Sequence, residues 1–243
     1  FVCSRKNKML ELQNSYFAAL SVAAQQRWKP HLFLKEFQVG ERLPLNQSGD
    51  AIYFPITCVA VASIHSNGNP SSFLRFVGRS SIIGVSNILN VSKIEFEAVI
   101  CCSGHAFVMP GRVLREAIRN LKPSSELKIT STSGVLEQVL ASAHCTQRHN
   151  TSQRVARLLL EALDHLAEEE SEISLTQLQI AEIIGVRRET VTTLLTSWSR
   201  IEAVSTGRGS IKVQQRDRLL ELTCDCYGFF LESRRTELAF WKT

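Results

Sequence analysis

Apolar residues change their spacing several times along this chain, and each change marks an element. Between Lys8 and Arg27, Leu12, Tyr16, Phe17 and Leu20 recur at helical intervals, which predicts an amphipathic helix or a pair of short helices before a turn at Pro30. From Leu32 to Pro110 the pattern becomes short apolar runs separated by turn residues: LFLKEFQVG, AIYFPI, CVAVASIH, SSFLRFVG, SIIGVS, FEAVICC and HAFVMP. Such runs predict a β-sandwich or barrel, with Asn67, Gly68, Asn69 and Pro70 as a hairpin turn. Helical spacing returns with Val113, Leu114, Ala117, Ile118 and Leu121, and is interrupted near Pro123. Beyond it, Leu127, Gly134, Val135, Val139, Leu140 and Ala143 form the stripe of a long helix. Asn150 caps a further helix whose broad apolar face holds Val155, Ala156, Leu158, Leu159, Ala162, Leu163 and Leu166. AEEESEIS after it is expected to be an acidic, solvated connector.

The stretch Leu175 to Val213 has the most specific pattern. Thr176 and Gln179 make a capping box, Leu175 and Ile180 can close over it as a hydrophobic staple, and the helix starts at Gln177. Ile180, Ala181, Ile183 and Ile184 line one side, Gly185 supplies the positive φ of a sharp turn, and Val186 can plug that turn. A second helix buries Val191, Leu194, Leu195 and Trp198 and turns Arg187, Arg188, Glu189, Thr192, Thr193 and Thr196 outward. Ala203–Thr206 and Ser210–Val213 then flank Gly207, Arg208 and Gly209 as a short hairpin. The order is that of a winged helix-turn-helix.

The outward face carries the chemistry. Thr190, Val191, Thr192 and Thr193 are poor helix formers, so helix stability does not account for them. Arginine can pair with guanine, glutamate can accept from the cytosine amino group, and threonine suits phosphates or thymine methyls. Arg188 and Glu189 are therefore expected to read bases, with Thr192 and Thr193 tuning the choice. Thr176, Gln177, Arg187, Thr190 and Arg208 are expected to hold phosphates. A plain helical hairpin with a solvated charged side is the alternative, which the capped helix, the glycine turn and the hairpin disfavour.

The motif IAEIIGVRRETV resembles the helix-turn-helix signature of the Crp/Fnr transcription regulators. CTQRHNTSQRVARLLLEALDHL and CDCYG resemble blocks carried on either side of it by one group within that family. The resemblance is strong over residues 130 to 230. It implies an α+β chain: an N-terminal jelly-roll β-barrel like a cyclic-nucleotide-binding domain, a long dimerisation helix, and a C-terminal winged helix-turn-helix. The corresponding boundaries are 1–122, 123–149 and 150–243. It further implies double-stranded DNA, a second copy of the chain and RNA polymerase as partners, with two recognition helices reading a palindrome. A long helix packed wholly on its own barrel is the alternative to pairing. Two positions depart from the family. Glu202 stands where a glycine usually precedes the first wing strand, and Thr193 where many relatives have a base-reading arginine.

The familiar ligands of the family are not expected here. Relatives that bind cyclic nucleotides use a Gly-Glu pair and, about ten residues on, an arginine. In IIGVSNILNVSKIEFEAVI, Gly84 precedes Val85 and Glu95 stands near the arginine's place, where its charge would repel phosphate. An iron-sulfur cluster needs grouped N-terminal cysteines, and only Cys3 is there. His31, His65 and His105 are too far apart for a cupin metal centre, and nucleophile elbow and phosphate loop are both absent from the sequence, so no enzyme is expected. The remaining function class is a barrel that binds a small molecule or protein while its helix-turn-helix no longer reads DNA.

Composition alters this little. The 243 residues carry a net charge of +5, yet from Asn150 onward 12 Lys and Arg face 14 Asp and Glu. Between Arg187 and Arg218 the balance is 7 basic to 3 acidic, so positive charge is local to the recognition helix and wing. The chain begins at Phe1, which suggests a trimmed N-terminus. No membrane span or export signal is expected, and seven scattered cysteines suit a reducing cytoplasm. Cys145 and His149, four apart, and the Cys-x-Cys of Cys224 and Cys226 are the residue types of a tetrahedral zinc site or a thiol redox switch. Small buried structural cysteines are the commoner use of such residues, and no cofactor is otherwise expected.

Overall fold

The computed structural model describes residues 14–43, 45, 51–66, 69–84, 95–120, 137–166 and 171–240. The chain divides into two compact units, residues 1–136 with 233–243, and residues 137–232. Residues 137–149, expected within a separate dimerisation segment, fall in the second unit.

The first unit opens with helices α1 (Ser15–Ala19) and α2 (Val22–Trp28) and a 3-10 turn at Lys29–His31 that contains Pro30. This is the pair of short helices that the apolar spacing predicts; Lys8 to Gln13, with Leu12, lie outside the described residues. Asn14 anchors the start. Its side chain accepts from the Phe17 N–H at 3.0 Å and donates to the carbonyls of Pro55 at 2.7 Å and Ser81 at 3.2 Å. The residue is wholly buried, so one polar side chain both caps α1 and ties it to the strands.

Strands β1 (Phe33–Phe37), β2 (Arg42–Leu43), β3 (Ala51–Pro55), β4 (Val59–Ser66), β5 (Asn69–Val77), β6 (Glu95–Cys102) and β7 (Gly104–Pro110) pair antiparallel. They form two sheets, of order β1-β7-β3 and β2-β6-β4-β5. The continuous apolar run AIYFPI has its explanation in β3, where successive side chains face opposite ways. Tyr53 joins Phe37, Ala60, Ala98 and Ile100 between the two sheets, while Ile52 and Phe54 join Phe17, Trp28 and Met109 beneath the helices. β3 is thus covered on both faces, while the edge strand β1 is exposed from Phe33 to Glu36, and the result is the jelly-roll sandwich expected.

Some details differ from the sequence pattern. Among the described residues of SIIGVS, Ser81 to Gly84, pairing is limited to a bridge between Ile83 and Tyr53, and Gly84 has φ +96°, while Val85 and Ser86 lie outside the described residues. Arg42–Leu43 adds a short strand too brief to show periodicity. β4 and β5 pair as far as Ser66 and Asn69, which puts Pro70 in a strand, while Asn67 and Gly68 lie outside the described residues. Helix α3 (Gly111–Asn120) follows β7 directly. The predicted stripe residues Leu121, Leu127, Gly134 and Val135 lie outside the described residues, as does Cys3.

The second unit begins with helix α4, residues 137–148, and α5 (Thr151–Asp164). Asn150 caps α5 in a full capping box with Gln153. β8 (Glu172–Ile173), α6 (Gln177–Ile184), α7 (Arg188–Arg200), β9 (Val204–Thr206), β10 (Ile211–Val213), α8 (Arg216–Leu222) and α9 (Cys226–Phe240) follow, the last belonging to this unit as far as residue 232. α5 is the core: Val155, Ala156, Leu158, Leu159, Leu160 and Ala162 are buried, and the helix packs against α6, α8 and β8. Leu160, Arg157 and Glu161 are buried too, beyond the expected face, because α5 is covered on more than one side. Arg157 and Glu161 pair with each other there.

Replacing Asn14 by Ala removes a cap and leaves the Pro55 and Ser81 carbonyls without their shared donor. Urea unfolding is expected to show a loss of about 2 to 3 kcal/mol. A loss below about 0.5 kcal/mol would show that water substitutes for the side chain.

Candidate nucleic-acid interface

The helix-turn-helix forms as its local signals dictate. Thr176 accepts from the Gln179 N–H at 3.1 Å while the Gln179 side chain accepts from the Thr176 N–H at 2.8 Å, which closes the capping box. α6 ends on Gly185 at φ 74°, and the N–H groups of Gly185 and Val186 both return to the Ala181 carbonyl. Ile180, Ala181 and Ile184 are buried, whereas Ile183 and the turn residue Val186 are half-buried. α7 then buries Val191, Leu195 and Trp198, with Leu194 at the margin. Two arginines hold the helices from behind. Arg154 donates to the Ile184 carbonyl and Arg218 to the Ile201 carbonyl, so each helix ends on a cation as the dipole favours.

Arg187, Arg188, Glu189, Thr190, Thr192 and Thr193 are all exposed along one side of α7. The threonines are less free than the sequence suggests. Thr193 donates to the Glu189 carbonyl at 2.9 Å and Thr196 to the Thr192 carbonyl at 2.8 Å, and Thr192 lies 3.1 Å from the Arg188 carbonyl. Thr192 also bridges to Gln177 Oε1 at 2.6 Å, which links the two helices on their exposed side. This contact spans 15 residues, and no local pattern announces it. Thr176 is exposed, but its hydroxyl and its N–H are engaged in the capping box. No side chain caps α7; the Thr190 N–H returns to the Arg187 carbonyl at 3.1 Å, which leaves the N–H groups of Arg188 and Glu189 without a capping side chain.

The wing has three strands, of order β8-β10-β9, with Arg208 exposed between Gly207 and Gly209 at its tip. The third strand corrects the expectation of a solvated acidic connector. Ile173 is buried opposite Ile211, and Glu172 pairs with Lys212 in register while accepting from Ser210. Residues 167–170 lie outside the described residues. Before the wing, Glu202 has φ 57°, and among the described residues no other non-glycine residue has a positive φ. The departure from glycine at this position is thus a residue held in the left-handed region.

Residues 153–222 match the sequence profile of the Crp-like helix-turn-helix domain. The chain carries a Crp-like helix-turn-helix domain. Among solved structures, it resembles a transcriptional regulator assigned to the Crp/Fnr family from Eubacterium rectale, with TM-score 0.66 and 17% identity over 85% of this chain and 96% of that one. FixK2 from Bradyrhizobium japonicum gives 0.63 and 17% over 79% and 98%. A Crp/Fnr-family regulator from Thermus thermophilus gives 0.59 and 18% over 78% and 97%. Likeness at these identities establishes the fold. No curated protein matches the chain by sequence.

Four further residues meet around the Crp-like domain. Cys145 on α4, His149 just after it, Cys224 between α8 and α9, and Cys226 at the start of α9 place their ligand atoms within 4.8 Å of one another. The Cys145 and Cys224 sulfurs are 3.6 Å apart, and Cys226 Sγ is 3.5 Å from His149 Nδ1. The other imidazole nitrogen, Nε2, lies 3.3 Å from the Asp225 carboxylate. All three cysteines are buried. Burial, and then the neighbouring thiols, push Cys226 up to about 12, and burial raises Cys145 as well. The i, i+4 spacing and the Cys-x-Cys each supplied half of this cluster in the sequence. Their meeting is a tertiary fact.

No helix of the described residues is long and apolar enough to cross a membrane. His31 and His105 are exposed, and the described residues show no histidine cluster in the barrel.

Glu202→Gly is expected to raise the thermal midpoint. Relief of the left-handed strain, less the greater freedom of glycine in the unfolded chain, leaves a gain of about 0.5 to 1 kcal/mol. A lower midpoint would show that the Glu202 side chain, 3.5 Å from the Gln215 amide, stabilises the turn by more than its strain costs.

Proposed function

We propose that the protein is a transcription regulator that reads a two-fold-symmetric DNA site as a homodimer, under control of a signal received at the barrel. The observation that carries this reading is the exposed side of α7: a cation pair, a carboxylate and three threonines beside an uncapped helix start, backed by a hydrophobic stripe that fixes their direction. Arg188 and Glu189 read bases. Thr193, whose hydroxyl proton returns to its own helix, and Thr192, whose hydroxyl is held by Gln177 Oε1, offer methyl groups to thymine. Arg187, Thr190, Arg208 and the Gln177 amide hold phosphates, together with the uncapped N–H groups of Arg188 and Glu189. Thr176, assigned to phosphate by its place at the helix start, has its hydroxyl and N–H engaged with Gln179 and serves by capping the helix that begins at Gln177.

Leu140, 59% exposed on α4, and the exposed Ala143 one turn further support pairing of two copies along this helix. Two copies of α7 would then meet half-sites about 34 Å apart. RNA polymerase is the expected further partner. The signal is not a cyclic nucleotide. Gly84 has a reason of its own, because a Cβ there would meet the Ala51 carbonyl oxygen at 2.6 Å, and the sequence pairs it with Val85. Nothing in this reading requires an enzymatic activity.

Arg188→Ala is expected to cost about 1 to 3 kcal/mol on a site selected from a random duplex pool and little on random DNA. Equal losses on both would reduce Arg188 to a phosphate contact. A selected pool without a two-fold motif would favour a barrel module whose helix-turn-helix no longer reads DNA.

A further inference from the structure

We propose that Cys145, His149, Cys224 and Cys226 bind one zinc ion that fastens α4 to the end of the DNA-binding domain. Tetrahedral zinc with sulfur at about 2.3 Å and nitrogen at about 2.05 Å separates two sulfurs by about 3.8 Å, and sulfur from nitrogen by about 3.6 Å. The observed separations are 3.6 Å for Cys145 and Cys224 and 3.5 Å for Cys226 and His149. Four protein ligands close the shell and leave no position for water or substrate, so the site is structural in kind. Three sulfurs and one imidazole in tetrahedral reach suit zinc over the harder cations, which take oxygen.

The surroundings fit the same group. His149 offers Nδ1 to the cluster while Nε2 faces Asp225, the carboxylate–histidine arrangement that fixes the tautomer of a ligating imidazole. Three thiolates, one neutral imidazole and a divalent ion leave one net negative charge. Arg157, buried and paired with Glu161, lies near enough to Cys145 and Cys224 for its guanidinium to interact electrostatically with them. The donors come from two places in the chain, before residue 150 and after residue 223, on either side of the matched domain. The ion therefore closes a loop of about 75 residues, which is where a cross-link constrains the unfolded chain most. This site stands whatever sequence α7 reads.

The full chain, purified with reductant and without chelator, is expected to hold about one zinc per chain by elemental analysis. Exchange for cobalt(II) is expected to give a thiolate-to-metal charge-transfer band and the intense visible bands of tetrahedral cobalt. Cys224→Ser with Cys226→Ser is expected to abolish both. Should that variant fail to fold, Asp225→Asn decides: it keeps all four ligands and is expected to weaken zinc about 10- to 100-fold in competition with a chromophoric chelator. Metal-free protein as isolated that takes up no cobalt overturns the proposal. So does zinc retained undiminished by the double variant, or zinc affinity unchanged in Asp225→Asn. A metal-free chain that instead forms a Cys145–Cys224 disulfide on oxidation assigns the cluster to redox chemistry and also overturns it.

Discussion

The second unit depends on the near-complete burial of α5. A helix covered on several sides gains about 1.5 to 3 kcal/mol for each large apolar side chain it buries, and Leu158, Leu159 and Leu160 are all within 1% of full burial. The same enclosure sets strict terms for its polar residues. Arg157 and Glu161 are held against each other because neither charge could stand alone there. Arg154, near the helix start, spends its guanidinium on the Ile184 carbonyl, and Asp164, at the other end, accepts from Arg216 at 2.8 Å and from the Tyr227 hydroxyl at 2.7 Å. One buried helix thereby fixes the end of α6 and the start of both α8 and α9.

From that scaffold follows a division of labour within α7. Val191, Leu195 and Trp198 anchor it from behind and leave the opposite side free of structural duty, apart from the threonine hydroxyls. This is why an arginine pair and a glutamate persist, fully solvated, at the start of a helix that gains no packing from them. The barrel shows the complementary economy. Its strand β3 is buried on both faces, so almost every residue of it is committed to packing.

Signals confined to a few residues were legible in the sequence: the Thr176–Gln179 box, the Gly185 turn, the Asn150 cap and the α7 stripe all appear as their spacing requires. What escaped were pairings between distant segments. Glu172 and Ile173 read as the tail of an acidic run until β10 lies beside them, and Leu160 reads as off the apolar face until a neighbour covers it. The site divides the same way. Composition chose the α7 face correctly as the exposed one, but the state of its hydroxyls depends on Gln177 and on carbonyls one turn back. Half of the cysteine cluster lies on each side of a gap that only folding closes. Glu202 is intermediate, since the departure from glycine was visible and its backbone strain was not.

The bridge from Thr192 to Gln177 makes the reading surface a property of two helices rather than one. Position 192 is polar on the exposed face, so it invites exchange for the residues of other regulators. Any such exchange also releases an acceptor on α6, and Gln177 becomes free to turn its amide over. Evolution of a new target site in this protein is therefore expected to proceed through paired changes at positions 177 and 192. A recognition helix transplanted alone into another scaffold would arrive without half of its own address.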